Sequence, residues 1–257
     1  MFKIHICSKD KFSVNFNKKR KKHFTVRGTE LFRAVADLFF PRVCPLCGQV
    51  LLTGEEGICL SCLSDLPYVR FRDTAEGPLA RVFWGRIPFR GVHAFLYYEK
   101  GNRASRLVQA IKYHGYKELG RWMGRIYGEH LRSLPPFDKV DLVVPVPLHR
   151  RKQRQRGFNQ SEWIGKGIAE ALQIPLESRN LYRKIYNPSQ TRRGRYERWE
   201  NVEGIFALRD PSLFEGKHIL LVDDVITTGA TLEACATAVL QAPGSSVSLA
   251  ALSMARG

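Results

Sequence analysis

The run Ile219-Leu-Leu-Val-Asp-Asp-Val-Ile-Thr-Thr-Gly-Ala-Thr231 constrains this chain more than any other. An uninterrupted short apolar stretch suits a strand buried on both faces, as in parallel sheets covered by helices on either side. It leads into two adjacent carboxylates, Asp223 and Asp224, and then into a loop that opens a helix. Thr227, Thr228 and Thr231 supply hydroxyls, Gly229 lets backbone come close to a ligand, and Ala230 begins the helix. The N–H groups and the positive dipole end of that helix form a cradle for phosphate. The two acids before it can accept hydrogen bonds from vicinal hydroxyls. A ligand with a phosphate a few ångströms from a diol is a ribose 5-phosphate.

The rest of the C-terminal two thirds alternates in the way such a sheet requires. Strands are expected at 92–98, 140–144, 218–222 and 247–252, with helices at 104–113, 118–134, 161–172 and 230–240. The resulting class is α/β, a parallel sheet flanked by helices, and ligands of such sheets sit at the carboxyl ends of the strands. The expected organisation is a basic tail at 1–28, a short helix plus a cysteine unit at 29–67, an irregular connection at 68–90 and the sheet domain at 91–257. The helix falls at 31–39, ended by Pro41, and the connection is expected to pack through Phe83, Trp84 and Phe89.

Four of the six cysteines form Cys44-Pro-Leu-Cys47, eleven residues, then Cys59-Leu-Ser-Cys62. Two thiolates three apart in a tight turn can face one ion, and two such turns supply the tetrahedral ligands of structural zinc. A unit this small has no room for a core of its own and depends on its metal to fold. A redox dithiol, an iron site or two disulfides are the other readings, the last disfavoured in a reducing compartment. Four thiolates leave no open position for water, so the site is structural. Cys7 reads as a tail thiol and Cys235 as a small buried hydrophobe on a helix.

Charge is the remaining global signal. Lys and Arg number 41 against 24 Asp and Glu, a net +17, with 44% hydrophobic residues. That composition excludes fibrous and wholly disordered chains and allows one medium domain with a small accessory unit. No window approaches the ~18 apolar residues of a membrane span, nor does the start resemble a secretory signal, so a cytoplasmic location is expected. Residues 1–28 carry nine Lys or Arg and one Asp. They read as a solvated tail, an arm for nucleic acid, or the product of a start codon placed too early. A second concentration, His149-Arg-Arg-Lys-Gln-Arg-Gln-Arg156, reads as a loop whose like charges repel unless an anion partners them.

Together these runs resemble the ComF family of type I phosphoribosyltransferase-like proteins. The resemblance spans about residues 31–257, in order: the two cysteine pairs, Val144-Pro-Val-Pro-Leu148, Arg156-Gly-Phe-Asn-Gln160, Arg183 with Gln190, Arg198-Trp-Glu-Asn201 and the Asp-Asp loop. It implies a type I phosphoribosyltransferase-like sheet with an N-terminal four-cysteine zinc ribbon. Asp223 and Asp224 would hold the ribose hydroxyls of phosphoribosyl pyrophosphate, and Thr227, Thr228, Gly229, Ala230 and Thr231 its 5-phosphate. Val146 and Pro147 would lie beside the pyrophosphate with Mg2+, and Lys112 would reach it. Asn187-Pro-Ser-Gln190 departs from the family's Thr-x-x-Gln, and the 1–28 extension has no family counterpart. No glutaminase nucleophile is present to make the chain an amidotransferase.

Two functions follow from the resemblance. One is a factor handling nucleic acid in DNA uptake and natural transformation, partnered by single-stranded DNA and the uptake machinery through Arg150, Arg151, Lys152, Arg154 and Arg156. The other is an active Mg-dependent phosphoribosyltransferase of unknown acceptor, in which the same guanidiniums clamp pyrophosphate. Whether the chain turns substrate over is left open by its residues.

Overall fold

The computed structural model describes residues 41–113, 116–184 and 204–256, together with the backbone pairing of Ile4–His5 with Ser13–Val14. The expected helix at 31–39 and most of the 1–28 tail lie outside the described residues, as do Gln190, Arg192, Arg193, Arg195 and Trp199. The chain divides after Asp65 into two compact units, the second running from Leu66 to Gly257.

The second unit is built on strands β1 (Val92–Tyr98), β2 (Leu142–Pro145), β5 (His218–Ile226) and β6 (Ser246–Ala255), in spatial order β1-β6-β5-β2. All pair in parallel, with Leu221 opposite Leu249, Leu249 opposite Val92, and Leu142 opposite Ile219. A separate antiparallel ribbon joins β3 (Leu181–Arg183) to β4 (Phe206–Leu208). Helices α2 (Arg103–Tyr113), α3 (Lys117–Leu131), α4 (Arg150–Arg156), α5 (Gln160–Leu172) and α6 (Ala230–Val239) complete it, α1 (Leu60–Ser64) belonging to the cysteine unit. The α/β class and the parallel sheet expected from the alternation are present.

Burial follows from the apolar strands. Ile219, Leu220, Leu221 and Val222 all have zero exposure, as a strand covered on both faces demands. On one face Ile219 and Leu221 pack with Val144, Leu249, Leu232, Cys235 and Phe83 in a continuous cluster. Neither outer strand is left bare. Residues 67–74 hydrogen-bond along β1 through Val69 N to Phe95 O (2.9 Å) and Val92 N to Thr74 O (2.7 Å). Val143 of β2 bonds Pro175 and Glu177 at 3.0 and 2.9 Å. Covered edges block pairing with other chains.

Helices α3 and α5 cross backbone to backbone. A Cβ on Gly167 would lie 2.0 Å from Arg121 O, and one on Gly124 would lie 2.1 Å from Ile164 O. Gly120, Gly124 and Gly128, four apart, form the stripe that admits this approach.

Several expectations need correction. The basic segment expected as a loop is helix α4, with His149 as its N-cap and Gly157 in left-handed conformation ending it. Strand β5 continues through both aspartates to Ile226 instead of ending at Val222. The expected helix at 118–134 ends at Leu131, and the strand expected from 140 begins at Leu142. Phe83 is fully buried and meets Phe89 edge-on at 6.3 Å, but Trp84 is 50% exposed and touches the connection at its surface, its Nε1 donating to Ala75 O at 3.3 Å.

Candidate functional site

Strand β2 ends at Pro145, opposite Val222, whereas β5 runs on against β6. From Asp223 onward β5 therefore has β6 on one edge only, and the aspartates stand where the sheet opens. Successive strand residues point to opposite faces, so the two carboxylates have different neighbours. Asp223 Oδ1 accepts from Ser161 Oγ at 3.0 Å and from the Asp224 N–H at 2.8 Å. Asp224 is buried, and its Oδ2 is ion-paired to Lys112 Nζ at 2.7 Å. Burial first, and then the charge of Asp224, push the Asp223 carboxyl up to about 7.

Three residues beyond Asp224 the loop turns into α6. Gly229 is its N-cap at φ 76°, and no side chain caps the helix there. The first-turn N–H groups thus stay available to an anion at the positive end of a ten-residue helix. Thr227, Thr228 and Thr231 are exposed around them and Ala230 starts the helix. Gly229 is required twice over, since besides its positive φ a Cβ would come within 2.8 Å of the Phe83 ring.

Arg86, which the sequence reading passes over, supports this loop. Its Nη1 donates to Val82 O at 2.9 Å and to Thr228 O at 3.1 Å, and its Nη2 pairs with Glu233. Glu233 lies in the first turn of α6, where its charge would oppose a bound phosphate unless cancelled. The signal for Arg86 is a contact with residues 142 and 147 positions away, which no local pattern reveals.

Val146 is buried and its N–H donates to Val222 O at 2.8 Å, extending the β2–β5 ladder. Pro147 has no N–H, so among the described residues neither donates from its backbone to a ligand, and the turn's backbone donors begin at Leu148. Asn159 fixes this turn by donating from Nδ2 to Val146 O (3.0 Å) while capping α5 through the Ser161 N–H.

Helix formation scatters the basic segment around an axis. Arg150 and Gln153, three apart, line a cleft of about 700 Å³. Arg156 turns elsewhere, to Gln160 Oε1 at 2.8 Å and over the Tyr113 ring at 5.2 Å. Arg151, Lys152 and Arg154 do not line the cleft. The five cations therefore do not form the single face that a loop allows.

In the other unit, Cys44, Cys47, Cys59 and Cys62 bring their sulfurs within 4.8 Å of one another. A tetrahedral zinc with Zn–S of ~2.3 Å requires S···S of about 3.8 Å, and Cys47 and Cys59 stand at 3.7 Å. The first pair is carried on a tight turn, with Gly48 N donating to Cys44 O at 2.8 Å and Val43 bridging Val50. Cys59 caps α1, which presents Cys62. Glu55 spans the connection by accepting from the Leu52 and Leu60 N–H groups at 2.7 and 2.8 Å. The donor set and spacing fit a metal ion. Cys235 is fully buried on α6, and Cys7 lies outside the described residues. Among the described residues no helix is long and apolar enough to cross a membrane.

The phosphoribosyl transferase domain family matches residues 134–256, the part holding β2, β5, α6 and the aspartates. The DNA utilization protein YhgH of Escherichia coli (strain K12) is 26% identical over 215 residues, covering 79% of this chain and 93% of the relative. The competence protein ComFC of Bacillus subtilis (strain 168) is 28% identical over 214 residues, covering 83% of this chain and 78% of that one. A solved structure of the allosteric regulatory enzyme of purine biosynthesis matches 55% of this chain and 29% of its own, at 20% identity and TM-score 0.37. With its match to the phosphoribosyl transferase domain family, its cluster of four cysteines and relatives of these two kinds, the chain is similar to the ComF family of phosphoribosyltransferase-like proteins.

Proposed function

We propose that this protein binds phosphoribosyl pyrophosphate at the open end of β5 and serves in the handling of single-stranded DNA during uptake. The observation that carries the first half is the uncapped N-terminus of α6 directly following two aspartates at a sheet opening. The first-turn N–H groups and Thr227, Thr228 and Thr231 hold the 5-phosphate, and Asp223 and Asp224 accept from the ribose hydroxyls. Lys112, paired with Asp224, lies within reach of the ligand's pyrophosphate. Bound Mg2+ supplies positive charge to that pyrophosphate. Zinc in the four-thiolate cluster keeps the small unit folded, in a cytoplasmic protein. The second half is supported by the names of the relatives, a DNA utilization protein and a competence protein.

Calorimetric titration of the zinc-loaded full chain with phosphoribosyl pyrophosphate and Mg2+ tests the pocket. Saturable binding is expected, weakened by at least a hundredfold in Asp223→Asn, Asp224→Asn. A wild type that gives no heat, or a double variant that binds as well as wild type, overturns the assignment.

A further inference from the structure

The 700 Å³ cleft between the turn after β2, helix α4 and the β3–β4 ribbon shares with the residues assigned above to phosphoribosyl pyrophosphate only Pro147 and the Arg150 that the enzyme reading gives to its pyrophosphate. Its lining carries Arg150, Arg179, Arg183, Lys184 and Arg209 against a single carboxylate, Glu162. Among the described residues no carboxylate pairs with Arg150, Arg179, Lys184 or Arg209, and all four are exposed. Five cations around one concavity repel one another, and a cleft with low-dielectric walls concentrates their field on whatever anion enters. That field is felt at His149, whose pKa is lowered by desolvation and then by Arg183, Arg150, Arg151 and Lys152.

The shape says more than charge. The volume falls within the ~300 to 1,000 Å³ of small-molecule sites and exceeds what a pyrophosphate fills. One wall is aromatic: Arg209 lies 4.8 Å over the Tyr182 ring while its Nε donates to Arg179 O at 2.9 Å, which fixes the guanidinium as a flat, charged surface. Gln153 and Ser178 add neutral hydrogen-bonding groups. Phosphate neutralised by guanidiniums beside a planar stacking surface is the chemistry that recognises a nucleotide.

We propose that this cleft is a nucleotide site, holding phosphate through Arg150, Arg179, Lys184 and Arg209 and a base against the Arg209–Tyr182 wall. The nucleotide comes either free, as a monophosphate, or as the phosphorylated end of a single strand. The proposal deepens the DNA-handling reading of the previous section and rests on it for the strand as a source, but not on the phosphoribosyl pyrophosphate pocket.

The test uses the full zinc-loaded chain and three probes: a nucleoside 5′-monophosphate, a 5′-phosphorylated oligodeoxythymidylate and phosphoribosyl pyrophosphate with Mg2+. One variant replaces Arg179, Lys184 and Arg209 with Gln, and a charge-matched control replaces Arg81, Lys100 and Lys139, all exposed and outside the cleft. The cleft variant is expected to weaken the nucleotide probes at least tenfold while leaving phosphoribosyl pyrophosphate unchanged. The strand's log-affinity against log-salt slope should flatten by about 0.7 for each phosphate no longer neutralised. Binding of the monophosphate identifies a free nucleotide as sufficient, and binding of the oligonucleotide alone assigns the site to strand ends. Equal weakening by the control variant, parallel weakening of phosphoribosyl pyrophosphate, or a wild type that binds neither nucleotide probe each overturns the proposal. A wild type that takes nucleotides but no phosphoribosyl pyrophosphate sinks the previous section's pocket and leaves this one standing.

Discussion

The cysteine unit and the sheet unit are held together by different physics. Among the described residues of the first, Leu46, Ile58 and Leu63 are the buried apolar side chains besides Cys44, Cys59 and Cys62. Three such side chains at roughly 2 kcal/mol each do not offset the entropy of ordering about 25 residues at 1 to 2 kcal/mol apiece. A metal ion held by the four thiolates would supply the difference. In the sheet unit stability is spread over two covered faces, and no single group carries it. One unit therefore has a point of failure and the other has tolerances.

The largest expected effect is at that point. Zinc sites of this kind contribute about 10 to 16 kcal/mol of apparent folding free energy. Cys44→Ser should release the ion, seen as a mass without zinc, and abolish amide-exchange protection around Ile58–Leu63. A folded, protected unit without metal would erase the contrast between the two regions.

Next comes the closest backbone approach in the sheet unit. Gly167→Val forces α5 away from Arg121 O, an overpacking cost of about 3 kcal/mol. For a unit of this size that is a Tm lowered by about 6 to 12 °C in calorimetry. A change within a degree would show that α3 and α5 can slide apart freely.

The smallest effect concerns pH and separates two desolvated groups of opposite sign. His93 is held down to about 3 by burial and then by His130, so below the ordinary 6.5 the unfolded chain takes a proton the folded chain refuses. Stability falls as pH drops below that value. Asp223, pushed up to about 7, keeps its proton where the unfolded chain has given it up, so its contribution falls as pH rises from about 4 to 7. Each gives a slope of up to about 1.4 kcal/mol per pH unit, and the two oppose each other between about pH 4 and 6.5. Relative to wild type, His93→Phe should lose stability as pH rises through that window and Asp223→Asn should gain it. Denaturant midpoints near either end of the window decide the matter, and parallel shifts in both variants would refute the assignment of signs.

Much of this is legible in the residues because it is local. Apolar strands, helical spacing and the Cys-x-x-Cys pairs are patterns within ten or so positions, and they place the sheet, its helices and the four thiols. The run ending at Thr231 is legible for the same reason. What escapes a reading of the chain depends on partners far off in sequence. The crossing of α3 and α5 is written in Gly120, Gly124 and Gly128, a four-residue spacing that is a usable signal once helices are assigned. Arg150-Arg-Lys-Gln-Arg-Gln-Arg156 suggests a loop because its like charges mask its good helix formers, although His149 and Gly157 are there to cap it. The cationic cleft joins residues 147–184 to Arg209, and nothing short of the fold brings them together.

The reach of Arg86 to Glu233 bears on the order in which the molecule matures. The cradle's backbone forms from a contiguous segment, but the counter-charge on Glu233 arrives only after a loop of 147 residues has closed. Contacts of such separation are made slowly, since chain entropy must be overcome before they form. During folding, then, the loop's backbone is expected to form before Arg86 reaches Glu233, so the cancelled charge beside it is a property of the finished sheet unit that its diagnostic run alone does not possess.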